Sequence, residues 1–130
     1  MLLTIAVRLL PAAFLTGAAM AYVIYVESDD AYAVRNLVPM LTFLLLAATT
    51  LWRGNGSWTG SGWRWLLGTL GFAIPALGLS LYLHYGYAND LNGMYSEAIY
   101  PAELFRFLPL YTMVAGTIGF AIGWIAGRNV

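Results

Sequence analysis

The sequence predicts an all-α protein, a four-helix transmembrane bundle with a short interfacial helix between the third and fourth spans. Three observations predict it. Of the 130 residues, 61% are hydrophobic and 9% charged, whereas a soluble domain typically carries about 25% charged residues, so the excess apolar surface must face lipid. Four apolar runs, Leu9 to Val26, Leu37 to Trp52, Trp65 to Tyr87 and Phe107 to Ala126, are separated by polar or charged breaks; a spanning helix needs roughly 20 such residues. Unpaired backbone polar groups are too costly in hydrocarbon for these runs to be anything but helical. Together they form a single integral membrane domain over residues 1–130.

The first span is expected over about residues 5–26. Ala19-Met20-Ala21 resembles a signal-peptide cleavage site, but Arg8 follows seven mostly apolar residues instead of heading a basic start, so an uncleaved helix is expected. The second run is short. It reaches spanning length, about 34–52, only if Arg35 rides at its end and snorkels to the headgroups. The third span is expected at about 64–87 and the fourth at about 104–126. Pro11, Pro39 and Pro109 are read as first-turn prolines, where a missing N–H is tolerated. Pro75 falls mid-span and predicts a kink, or a local opening that a neighbouring helix must satisfy.

Two connections separate these elements. The stretch "RGNGSWTGSGWR", Arg53 to Arg64, reads as a flexible glycine- and serine-rich linker; no Lys-Ser or Lys-Thr follows its glycines, as a phosphate-binding loop requires. In "DLNGMYSEAIYPAELFR", Leu91, Met94, Tyr95, Ala98 and Ile99 recur at helical spacing, which suits a short helix in the interface that roofs the bundle until Pro101.

Charge sets the expected orientation. Arg8, Arg53, Arg64 and Arg128 lie on one side of the threaded chain and Arg35 and Arg106 on the other, so the positive-inside rule puts both termini in the cytoplasm. A bacterial inner membrane is the expected location. All five tryptophans map to the inner boundary and most tyrosines to the outer one, as interfacial belts. His84, the only histidine, is expected in the outer belt with its ring at headgroup level.

Small residues mark the packing faces. Ala13, Gly17 and Ala21 recur every four residues in the first helix, as do Ala115, Gly119, Gly123 and Gly127 in the fourth; such stripes let backbones approach closely in lipid. The partner of each stripe is not legible. The second helix, without glycine, reads as mostly lipid-facing. A faint internal echo, "RGN" against "GRN" and Arg35…Pro39 against Arg106…Pro109, is the kind of resemblance that chance gives two apolar hairpins.

Functional candidates gather on the outer side. Arg35 and Arg106 are candidates for holding an anion or a lipid headgroup, with a snorkelling Arg106 paired to Glu103 one turn away as the simpler reading. Tyr22, Tyr25, Tyr82, His84, Glu97 and Glu103 form a candidate outer polar cluster. No cysteine is present, which removes thiolate chemistry and disulfides. One histidine cannot make a bis-histidine haem site, and no metal-ligand spacing accompanies it. No cofactor or metal is expected, the basic residues are too scattered for nucleic acid, and no nucleophile with an adjacent base points to catalysis. The leading expectation is a noncatalytic accessory or structural subunit of a membrane complex, with membrane lipids, other subunits or itself as partners. The alternatives are a homo-oligomeric small-solute or ion transporter or channel, and an outer-face enzyme acting on lipid or quinone.

Overall fold

The computed structural model describes residues 2–26, 35–89 and 104–128. Among them are four α-helices: α1 (Leu2–Val26), α2 (Val38–Arg53), α3 (Trp63–Asn89) and α4 (Leu104–Gly127), with a 3-10 turn at Arg35–Leu37 leading into α2. Three of them, α1, α3 and α4, are long and apolar enough to cross a membrane; α2, with 16 residues, is a shorter apolar helix. The chain is a helical membrane protein. The expected interfacial helix at 91–99 lies outside the described residues.

Successive helices run antiparallel. One end of the bundle, the loop end, gathers the start of α1, the 54–62 loop and the end of α4, because Gly56 meets Thr4 and Gly127 meets Arg64. The far end gathers the end of α1, the 3-10 turn, the end of α3 and the start of α4.

The closest association joins α3 to α4. A Cβ built on Gly119 would lie 1.8 Å from the Gly71 carbonyl oxygen and 2.8 Å from Pro75 Cγ, and one on Gly71 would lie 2.1 Å from the Gly119 carbonyl oxygen. Gly123 faces the Leu67 carbonyl, Gly127 faces the Arg64 backbone, and Gly116 receives the Phe72 ring. The fourth-helix stripe therefore meets a helix of the same chain. Its counterparts on α3, Gly68 and Gly71, complete an interface of backbone against backbone, where dispersion and Cα–H···O contacts replace the hydrophobic drive that lipid cannot supply.

The prolines fall differently from expectation. Because α1 begins at Leu2 and α4 at Leu104, Pro11 and Pro109 lie inside their helices, not in first turns; only Pro39 opens its helix. Pro75 deprives the Gly71 carbonyl of its i+4 donor. That same oxygen faces Gly119, so the neighbouring helix meets the opening.

The second helix also differs. Pro39, Met40, Phe43, Ala47, Thr50 and Leu51 are buried along one face, and the buried core joins Met40 and Phe43 to Ala19, Val23, Phe72, Ala76 and Leu77 of α1 and α3. Absence of glycine means packing through side chains, not absence of packing. The outer half, Val38, Leu41, Leu45 and Trp52, remains exposed.

The 54–62 loop is folded into consecutive turns. Gly56 N donates to Leu51 O and Asn55 N to Trp52 O, the paired bonds of a Schellman motif, with Asn55 in the left-handed region at φ 55°. Gly54 and Gly60 then cross so closely that a Cβ on Gly60 would meet the Gly54 carbonyl oxygen at 2.1 Å. Sequence composition alone suggested a flexible linker; the glycines instead permit tight backbone crossings.

Two glycine substitutions separate packing from propensity. Gly119→Ala is expected to lower stability in detergent by about 1–3 kcal/mol, as overpacking does, whereas Gly78→Ala, where nothing lies within 4 Å, is expected to be neutral or to raise it by about 0.5–1 kcal/mol. Thermal unfolding followed by circular dichroism checks both, and similar effects at the two positions would contradict the interface described.

Candidate functional site

Two places in the bundle combine polar chemistry with a defined geometry. The first lies inside the far end. His84 is fully buried, and its Nδ1 lies 2.6 Å from the Ser80 carbonyl oxygen, one turn earlier in α3. A carbonyl only accepts, so Nδ1 carries a proton and donates it to Ser80 O. Expected in an outer belt, the ring is turned into the bundle. The neighbouring tyrosines point outward: Tyr82 and Tyr85 are 65% and 52% exposed. Helical geometry explains the split, since Ser80 and His84 share one face at i, i+4 while Tyr82 and Tyr85 point elsewhere.

Helix register brings further polar groups to this depth. The α3–α4 contacts pair Arg64 with Gly127, Gly71 with Gly119 and Ala76 with Gly116. Continued, that antiparallel register sets Thr112 level with Ser80 and Leu108 level with His84. The Thr50–Thr69 pair fixes α2 against α3, and Asn36 stands in the 3-10 turn at the far end. Asn36, Ser80, His84 and Thr112 are each buried to within 1%. Thr112 donates to its own helix at Leu108 O, 3.0 Å. Ser80 Oγ, among the described residues, has no hydrogen-bond partner.

Of the other outer candidates, Tyr22 is half-buried and Tyr25 is 77% exposed. Arg35 opens the 3-10 turn and Arg106 lies in the first turn of α4, so both belong to the far end, but their side chains lie outside the described residues, as do Glu97 and Glu103 altogether. All six carboxylates of the chain fall there too. The first-helix stripe is not packed within the bundle: Ala13 is half-buried, Gly17 has nothing within 4 Å of its Cβ direction, and Ala21 is exposed. Ala115 is half-buried beside the α3–α4 contact.

The second place is the loop end. Arg8 donates through Nη1 to the Gly56 carbonyl and ties α1 to the loop. The Arg53 guanidinium lies 5.1 Å above the Trp65 ring and that of Arg64 lies 5.5 Å above Trp124, within cation–π range. Trp65 meets Phe120 and Trp124 edge-on, at 6.1 and 5.3 Å between centroids, and Phe120 stacks on Trp124 at 5.8 Å. These rings and cations make an amphipathic shelf suited to a lipid headgroup boundary.

Between the ends the polar side chains are satisfied locally. Thr16 donates to Ala12 O at 2.7 Å, and Thr50 to Leu46 O at 2.7 Å. With its own proton so used, Thr50 Oγ1 accepts from Thr69 Oγ1 at 3.0 Å, a hydrogen bond between α2 and α3 that sequence reading missed. Threonine tolerates either surroundings in a helix, so only tertiary placement reveals the pair. Compared with protein-family models, curated proteins and solved structures, the chain matches none.

Ser80→Ala tests whether the far-end cluster is complete in itself. Removing a buried hydroxyl without a partner is expected to leave stability unchanged or raise it by about 1 kcal/mol. A loss of more than about 1 kcal/mol in detergent unfolding would show that the hydroxyl is engaged.

Proposed function

We propose that the chain is a noncatalytic accessory or structural subunit of a membrane complex, held in the bilayer by four spans. The observation that carries this reading is the outward face of α1. Leu3, Val7, Leu10, Phe14 and Ile24 are at least half exposed, and with Gly17 and Ala21 they alternate at spacings of four and three residues, the period of a helix-pairing seam. A small pair, Gly17 and Ala21, sits within that seam and turns away from the other helices of the chain. The matching stripe on α4 is consumed by α3. A stripe of the same chemistry left open supports docking against a helix of another polypeptide.

Length supports the fourth span. The 16 residues of α2 rise about 24 Å, and the three of the 3-10 turn add about 6 Å, which together match a hydrocarbon core of about 30 Å. The arginine distribution then favours the loop end and both termini on the cytoplasmic side of a bacterial inner membrane. Local satisfaction of the threonine hydroxyls leaves no described polar path through the centre, which favours a structural part over transport.

Purification in mild detergent followed by mass spectrometry is expected to recover a membrane protein in fixed ratio with this chain. Gly17→Leu is expected to cut that recovery at least about tenfold, the effect of losing roughly 1.4 kcal/mol of association, with the bundle's own unfolding unchanged. A chain that stays a companionless monomer, or a partner retained fully by the variant, would remove the reading.

A further inference from the structure

We propose that the loop end holds one anionic phospholipid, with an acyl chain in a lateral cavity and its phosphate on Arg8. The cavity has a volume of about 300 Å3 and opens between α1 and α3. Ala12 lines it from α1, Phe43 and Ala47 from α2, Leu66 and Leu70 from α3, and Trp58 closes it at the loop end. The one polar side chain in the wall, Thr69, bonds to Thr50. The lining therefore suits hydrocarbon and offers little to water.

Its size selects the occupant. A helix about 10–12 Å across would fill that volume in roughly less than one turn, so a second transmembrane segment does not fit, whereas a flexible chain can thread it. Arg8 stands one helical turn from Ala12 on the same face, at the loop-end rim. One of its five N–H donors is fixed on the Gly56 carbonyl; four others remain for an acceptor, and the side chain is exposed.

Charge complementarity specifies the headgroup. Arg8, Arg53, Arg64 and Arg128 gather at this end, yet residues 1–26, 31–89 and 104–130 contain no Asp or Glu. Among the described residues no acidic side chain stands there to neutralise them. Arg53 and Arg64 cover tryptophan rings, and Arg8, one turn from the lining residue Ala12, is the arginine that adjoins the cavity. A phosphodiester carrying net negative charge supplies what the protein does not, and the site holds whether or not a partner subunit exists.

Native mass spectrometry of the protein in mild detergent, titrated with phosphatidylglycerol or with phosphatidylcholine of the same acyl chains, reads the site directly. One phosphatidylglycerol is expected to be retained about fivefold more than phosphatidylcholine, the factor that roughly one basic residue contributes at an anionic surface. Arg8→Gln is expected to bring the ratio to about one and Arg8→Lys to keep most of it. Ala12→Trp, which fills the cavity, is expected to abolish retention of both lipids; Leu70→Trp, at a more exposed part of the wall, does the same should the first variant unfold. Equal retention of the two lipids by the unaltered protein, or a preference that survives the filled cavity, would overturn the proposal. So would a dimer that Ala12→Trp dissociates, because a second copy would then be the occupant.

Discussion

The bundle depends on one backbone contact, the crossing of α3 and α4 at Gly71 and Gly119. Lipid solvates leucine as well as a protein interior does, so association between apolar helices needs closeness and not merely hydrophobicity. Here each glycine receives the other's carbonyl oxygen where a side chain would otherwise stand. Pro75 adds a reason for the crossing to fall at this level, since it withdraws the donor that Gly71 O would have found in its own helix. A proline and two glycines, each unfavourable in an isolated helix, become mutually compatible when the two helices meet.

From that crossing the rest of the interior can be followed outward. Phe72 inserts at Gly116, and Ala76 and Leu77 continue into the core shared with Met40, Phe43 and Val23. The second helix is fastened to this pair by side chains, with Thr50 hydrogen-bonded to the Thr69 hydroxyl at 3.0 Å and reaching Trp65 O at 3.5 Å, both in α3. The first helix packs through Ala19 and Val23 and is anchored at the loop end by Arg8 on Gly56. Polar chemistry is thereby sorted by depth: arginines and tryptophans at the loop end, self-satisfied threonines within, and the His84 cluster at the far end.

Much of this organisation was legible in the sequence because hydrocarbon restricts the choices. Four helical segments, their approximate limits and the fourth-helix glycines all follow from hydropathy and small-residue spacing. What stayed hidden depends on rotation about a helix axis. His84 and Tyr82 are two residues apart, yet one is buried and the other largely exposed, and no belt argument distinguishes faces. Gly17 and Gly119 look alike in sequence, but only Gly119 meets a neighbour. The packing of the second helix is hidden for a related reason: glycine signals one mode of packing, and Met40 and Phe43 use another. The turns of the loop are not legible in composition because glycine serves equally in slack chains and in tight crossings, and only φ and hydrogen bonding separate them.

The notched form of the α3–α4 seam has a mechanical consequence. Carbonyl oxygens seated in glycine notches fix the two helices axially as well as laterally, since a slip of one residue would bring Ile118 or Phe120 toward the Gly71 oxygen. Neither helix can move as a piston against the other. A push along the membrane normal delivered to the end of α4 must displace α3 with it, as one stiff rod of two strands.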